Sequence, residues 1–317
     1  GTSSAFTAIY NESGYSSQPR MSEFITIDSN VINDGYQGVY MYGAGTTSTL
    51  LEEGNVVTNN TINRCHYYGV YMYRQQNTVV YNNTMVQKSV SPNTAGYGMY
   101  FRYCDLSVKI NANKITLNNT TGTSYGLYID NCDGNSSNSI DVTNNMIVTS
   151  PNGTSATQRG LYSYDSKYVN IYHNSVNLLK GSATSSSTAA FYTNASSTYK
   201  HNIQNNIFVN SNGGYAAYFS SSTFAGVDSI TNNIFYSTNT SSIYAGGAKT
   251  LATVQTSYPA KFANCLSGNP LFTSATDLTL QGNLADGSAT TSTGVLMDID
   301  GDLRSTSTPD IGADEYI

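Results

Sequence analysis

Tryptophan is absent from this 317-residue chain, and Asp, Glu, Lys and Arg together make up only 11% of it, against about 25% in an average soluble domain. A surface with so few charges must be covered by Ser, Thr, Asn and Tyr, and Tyr alone numbers 27. The 14 Lys and Arg residues form no run and the net charge is −6, which argues against nucleic acid or an anionic membrane as partner. No apolar stretch approaches the roughly 20 residues of a membrane-spanning helix. The three histidines, His66, His173 and His201, fall at unrelated positions with no metal-ligand spacing. Neither a Ser-His-Asp arrangement nor a phosphate-binding loop can be drawn.

What fills the chain instead is a repeat. Its clearest copy runs from Val57 to Tyr73: an apolar-x-x-Asn-x-apolar half at Val57, Asn60 and Ile62, a short loop, and then Gly69-Val70-Tyr71-Met72-Tyr73. The first half returns around Asn30, Asn60, Asn83, Asn113, Asn145, Asn174, Asn206 and Asn233 at a mean spacing of 29 residues. The second half, Gly-apolar-Tyr-apolar, carries Tyr40, Tyr71, Tyr100, Tyr128, Tyr162, Tyr192, Tyr218 and Tyr244. Fixed self-similarity of this length is the signature of a repeat architecture.

The apolar residues lie two apart within each half, which is strand periodicity, and Gly, Asn, Ser and Thr between the halves supply turn chemistry. A helical solenoid needs a 3.6-residue period, a propeller blade needs about 40–45 residues, and leucine-rich repeats need Leu at fixed offsets. None fits. An all-β parallel β-helix of about nine coils remains, each strand pairing in register with the strand one coil away. Stacked residues then lie roughly 4.8 Å apart. Asn carries both a donor and an acceptor and can bond its counterpart in the next coil, so the Asn column is expected to form a ladder at a corner. Asn also tolerates the left-handed conformation that a sharp turn needs.

The Val57–Ile62 and Val142–Ile147 segments, with the Gly-Val-Tyr-Met and Gly-Leu-Tyr-Ile segments at 69–72 and 126–129, resemble the right-handed, pectate-lyase-like parallel β-helix superfamily. The resemblance covers roughly residues 5–246 and implies a right-handed coil. It does not select a function, because the superfamily holds lyases, hydrolases, epimerases, adhesins and tailspikes.

Two regions are expected: repeats over 1–246, with a partial first coil at Ala8-Ile9-Tyr10, and a capping segment over 247–317. The tail carries Asn269-Pro270-Leu271-Phe272, Asp277-Leu278-Thr279-Leu280, Asp298-Ile299-Asp300-Gly301-Asp302-Leu303-Arg304 and Pro309–Tyr316. It resembles the closing segment of many secreted Bacteroidetes β-helix proteins. The partial coil and the missing initial Met read as a segment of a longer polypeptide. Long insertions at Val86–Tyr97, Thr116–Tyr125, Thr149–Arg159 and Asn177–Ala189 mark one face of the solenoid.

Alternation places the aliphatic residues of the second half inside and the Tyr rings outside, as an external stack. Tyr40, Tyr71, Tyr100, Tyr128 and Tyr162 are therefore candidate binding residues for sugar rings or another surface; the competing reading is a structural ladder. An outward stripe predicts that Tyr128→Ser costs about 1 kcal/mol or less. Arg74, Arg102, Asp130 and Asp165 follow their coil's Gly by four or five residues and are expected to stack on one edge, with Tyr73, Tyr103, Asp105 and Asp133 nearby. They are the catalytic candidates of an enzyme reading, since a lyase needs a base and a hydrolase two carboxylates. A surface salt-bridge ladder is the alternative.

Asp298, Asp300 and Asp302 lack the spacing of an EF-hand loop. Ion pairing of Arg304 with Asp310 or Glu315 accounts for the cluster better than a Ca²⁺ site, so the expected cofactor is none. Cys104 and Cys132 share one slot in neighbouring coils and are expected as stacked thiols rather than a disulfide.

Two function classes follow. One is a non-catalytic segment of a large secreted or cell-surface protein, a stiff rod ~43 Å long for adhesion or display, with polysaccharide or another surface protein as partner. The other is a polysaccharide lyase or glycoside hydrolase. The Lys-poor, Ser/Thr/Asn-rich composition suits an extracellular location.

Overall fold

The fold is given by a computed structural model that describes residues 6–12, 22–45, 50–87, 93–118, 120–151, 157–180, 188–282 and 284–316. Three sheets of ten, eight and eight strands wrap one core, parallel throughout except for the closing strand Ala248–Lys249, which pairs antiparallel with Ile243–Ala245. Within a coil the chain passes from a tyrosine strand such as Tyr68–Tyr73 to a second-sheet strand such as Val79–Tyr81, then to a third-sheet strand such as Thr84–Gln87, and on to the next tyrosine strand. The solenoid is right-handed, with about seven turns rather than nine coils. Thr7–Glu12 opens the first coil and is followed by Thr26–Asp28 and Val31–Asn33, whereas the last tyrosine strand, Ile243–Ala245, has no second- or third-sheet strand after it.

Register is set by the side chains. Tyr10, Tyr40, Tyr71, Tyr100, Tyr128, Tyr162, Tyr192, Tyr218 and Tyr244 pair one on the next through the whole sheet. Their apolar neighbours Val70, Met72, Met99, Phe101, Leu127 and Ile129 are fully buried, because a one-residue slip would turn the whole set to solvent.

The Asn ladder is continuous from Asn30 to Asn233. Each Oδ1 from Asn60 onward accepts both the main-chain N–H and the Nδ2 of the Asn one coil earlier, at 2.9–3.0 Å. The left-handed turn belongs to a different residue than the ladder Asn. Ser29, Asn59, Asn82, Ala112, Asn144, His173, Asn205 and Asn232, each just before a ladder residue, have φ between +52° and +60°. The Asn-Asn doublets of the sequence are thus two columns, the first making the turn and the second bonding inside it.

The glycine of Gly-apolar-Tyr-apolar has a steric reason. A Cβ on Gly126 would sit 2.2 Å from Ile147 Cγ2 and 2.6 Å from the Gly160 carbonyl oxygen. Gly69 and Gly98 are equally crowded. The insertions before these strands partly extend them, as Asn93–Arg102 and Thr120–Asp130; residues 88–92, 119, 152–156 and 181–187 lie outside the described residues.

The C-terminal segment first closes the core and then turns back. Helix Leu251–Ser257, N-capped by Thr250 Oγ1, buries Leu251 and Val254 with Phe262 and Cys265 against the last coil. Residues 266–282 and 284–316 then run as a strap over the outside of the third sheet. Leu278, Leu280, Ala285, Ile299, Ile311 and Ala313 cover Met146, Val148, Ile207, Val209 and Ile234. No helix among the described residues is long and apolar enough to cross a membrane.

Candidate functional site

The corner between the tyrosine sheet and the second sheet opens into a cleft of about 670 Å³. Its lining includes Tyr73, Arg74, Arg102, Tyr103, Asp105, Asn131, Asp133, Asp165, Lys167 and Tyr199. The chain turns there through left-handed residues: Arg74, Tyr103, Asn131 and Asp165 have φ of +54°, +52°, +53° and +45°.

The four charged candidates do not stack in one column. Arg102 and Asp130 end their strands in register with each other and with Tyr73. Arg74 and Asp165 stand one residue later, in the left-handed corner. The difference of four against five residues from the glycine therefore separates two adjacent columns. Arg74, Arg102 and Asp165 line the cleft, while Asp130 lies buried behind it.

Most of these charges are already answered. Arg102 Nε lies 3.2 Å from Asp130 Oδ2, and the same oxygen accepts from Tyr100 Oη at 2.7 Å. Asn131 Nδ2 donates to Asp130 Oδ1 at 2.7 Å. Lys167 Nζ is 2.5 Å from Asp133 Oδ2. Asp165 Oδ1 accepts from Tyr199 Oη at 2.6 Å and from Asn194 Nδ2 at 3.0 Å. Asp105 Oδ1 accepts the Asp133 main-chain N–H at 2.8 Å, yet burial pushes its carboxyl up to about 6. Arg74 donates to the Ala44 carbonyl at 2.8 Å and lies 5.0 Å from the Tyr73 ring centre and 6.0 Å from that of Tyr103, within cation–π range.

The tyrosine column faces outward, as alternation requires, but its rings are largely covered by one another. Tyr128 sits 4.7 Å from Tyr100 at 7° and 4.5 Å from Tyr162 at 3°. Tyr71, Tyr100 and Tyr162 are buried, and burial raises the hydroxyls of Tyr71, Tyr100, Tyr128 and Tyr162 above the ordinary phenol range, with Tyr40 pushed up to about 12. With both faces of Tyr128 occupied by its neighbours, a ligand along this part of the column meets ring edges and hydroxyls. The stacking breaks at Tyr162 and Tyr192, which meet at 81°. There Arg159 lies 4.2 Å and 3.8 Å from the two ring centres.

Cys104 and Cys132 are free thiols, as are Cys65 and Cys265. The pair belongs to a second corner ladder: the Cys104 N–H donates to Cys132 Sγ at 3.3 Å, and the Cys132 N–H to Ser166 Oγ at 3.0 Å. In the tail, Asp298 Oδ1 accepts the N–H groups of Asp300 and Asp302, and its Oδ2 accepts that of Glu315. Asp300 pairs with Lys114 at 2.9 Å. Arg304 pairs with Glu315 at 3.1 Å but meets Asp310 only through its carbonyl oxygen, at 3.3 Å. Among the described residues no group of three or more His, Cys, Asp and Glu is arranged to hold a metal.

Sequence reasoning missed Lys167, Asn194 and Tyr199, which reach the site or its partners from the following turns. Lys167 stands two residues after Asp165 and was the available signal. It also missed the outer left-handed Asn column, whose signal was the Asn-Asn doublet.

No match is found among curated proteins. Residues 49–228 match the family described as the right handed beta helix region. That match spans more than half of the chain and agrees with the three in-register sheets, so the chain belongs to the right-handed β-helix family.

Proposed function

We propose that this β-helix is a non-catalytic, glycan-binding module of a secreted or cell-surface protein, with the corner cleft as its ligand site. The observation that carries the reading is that the cleft's carboxylates are already bonded, to Arg or Lys or to hydroxyl, amide and main-chain donors. Arg102 with Asp130, Lys167 with Asp133, and Asp165 with Tyr199 and Asn194 form closed pairs. A hydrolase needs two carboxyl groups free to exchange protons with substrate and water, and paired carboxylates serve that poorly. They serve well as fixed acceptors for sugar hydroxyls, beside the Tyr73, Tyr103 and Tyr199 rings. A low-charge, Ser/Thr/Asn-rich surface supports an extracellular location and a polysaccharide partner, and nothing in the reading requires a cofactor.

Asp105 supports the second reading, a lyase or hydrolase, because a carboxyl raised to about 6 in a cleft suits a general acid. One experiment separates the two. The protein is titrated by calorimetry against neutral and acidic glycans, with and without Ca²⁺, while reducing ends and absorbance near 235 nm are followed. Binding without turnover, weakened tenfold or more by Tyr103→Ala with Arg102→Ala, is the expected result. Cleavage abolished by Asp105→Asn would make the cleft an active site.

A further inference from the structure

We propose that His173 is an acid-sensitive latch, holding the C-terminal strap on the coils while its ring is neutral and loosening it when the ring takes up a proton.

The latch stands in the outer left-handed column, which meets the strap over four coils. Asn232 Nδ2 donates to the Ser288 carbonyl at 2.9 Å, and Asn144 Nδ2 to the Met297 carbonyl at 2.8 Å. Asn205 makes a closed pair with Thr290: its Nδ2 donates to the Thr290 carbonyl at 2.8 Å and its Oδ1 accepts the Thr290 N–H at 2.9 Å. Between Asn144 and Asn205 the column places His173, 1% exposed, with Nε2 3.2 Å from Thr293 Oγ1 of the strap. Three of these four positions carry an amide that cannot titrate; only this one carries a ring that can.

The geometry fixes the state of that ring. The Thr290 N–H is a donor, so the Asn205 oxygen must face it and the Asn205 Nδ2 must face His173. That Nδ2 lies 2.8 Å from His173 Nε2, so Nε2 has to accept and the ring has to be neutral. A proton on Nε2 would set donor against donor at that distance. Asn205 could relieve the clash only by turning, which would break both of its bonds to Thr290.

The charged and titratable groups around the ring come from the strap. Burial, and after it Arg304, opposes a charge on the ring, while the carbonyls of Gly312 and Asp310 favour one. Burial raises Asp310 and pushes Asp314 up to about 6; Asp298 and Glu315 are tied to strap N–H groups and to Arg304. From the coils, Asn144, Asn205 and Ser175 bring no charge, and Tyr172 is a phenol raised by burial. The two raised carboxyls act against the latch, since they take up protons more readily in the closed strap. His201, lowered to about 4 by burial, acts on the coils.

The sign follows from linkage. A free imidazole takes its proton near 6.5, and the closed strap resists it. The His173 contribution to closure is therefore complete above about 6.5, and it weakens by up to about tenfold in the closed-to-open ratio for each pH unit below that value.

The test is hydrogen exchange between pH 7.5 and 4.5, corrected for intrinsic rates, at three strap amides bonded to the coils: Thr290, Gly312 and Ala313. His173→Asn restores the residue that the column uses elsewhere. Wild type should lose protection relative to this variant by roughly tenfold per pH unit below 6.5, with coil amides unchanged. Histidine ring shifts of the wild type, read by NMR in the same titration, decide the matter even if the variant folds poorly. Charging of His173 and loss of strap protection should coincide. A charged ring beneath a protected strap, or equal pH dependence in the two proteins, overturns the proposal.

Discussion

Arg304 Nη2 donates to Oδ1 of Asn144, 160 residues earlier in the chain, at 3.0 Å. The contact ties the far end of the strap to a coil in the middle of the solenoid. The same guanidinium collects the carbonyls of Asp310, Gly312 and Ala313 and the carboxylate of Glu315. The strap is thus held by one buried cation as well as by its apolar face.

Arg304→Met should release the strap before the coils melt. Glu315 and three carbonyls lose their shared donor, and breaking a buried pair from one side costs about 3–5 kcal/mol. Limited proteolysis should cut within 284–316 while the strand signal in circular dichroism persists. A single cooperative melt at the wild-type Tm would show that Arg304 does not carry the strap.

Asn145→Leu should destabilise the coils themselves. Asn145 is fully buried, and its Nδ2 serves Asn174 Oδ1 and the carbonyls of Ile110 and Thr143. Its own Oδ1 accepts two bonds from Asn113. Leaving several of these groups unpaired at about 1–3 kcal/mol each predicts a loss of at least about 3 kcal/mol in denaturant unfolding. An unchanged midpoint would remove the ladder from the account of stability.

Tyr128→Ser should cost more than an outward-facing residue suggests. The ring contributes two near-parallel stacks, each worth about 0.5–1.5 kcal/mol beyond area burial, so a loss of about 2–3 kcal/mol replaces the expectation of 1 kcal/mol or less. The change should leave glycan affinity in the corner cleft within a factor of two. Loss of affinity equal to that of a cleft variant would move the binding site onto the tyrosine column.

Gly126→Val should be poorly tolerated despite the strand preference of Val. Its side chain would meet both Ile147 and the Gly160 carbonyl oxygen, and overpacking of a tight core costs about 1–3 kcal/mol. A Tm at or above wild type would show that neighbouring coils can spread.

Asp105→Asn should stabilise the protein at neutral pH. The folded carboxyl titrates at about 6, above its ordinary value of 3.8. Its contribution is therefore fully present below about 3.8 and is lost as pH rises through 6. Asn keeps the acceptor for the Asp133 N–H and carries no charge. The variant should melt higher than wild type at pH 7.5, and the gap should close below pH 4. A gap independent of pH would place its cause elsewhere.

The sequence by itself determined which residues pair from coil to coil. A side chain at one position of a coil lies against its counterpart in the next, so Tyr40 on Tyr71 and Asn60 on Asn83 could be paired from spacing alone. The inward aliphatic set followed from the two-residue period, and the stacked state of Cys104 and Cys132 from their common slot. What depends on a single residue of offset was not determined. The left-handed turn fell to Asn59 and its column rather than to Asn60, and Arg74 separated from Arg102, because spacing fixes the column but not the backbone angle at a corner. The closed ring faces of the tyrosine stack needed the tilt of each ring, which alternation does not supply. Contacts that do not repeat were decided by the tertiary structure alone. Asn144 with Arg304, His173 with Thr293 and Lys114 with Asp300 join residues 120 to 186 positions apart. They exist because the chain, after closing its core at Phe262, turns back over the apolar outer face that the third sheet would otherwise present to water.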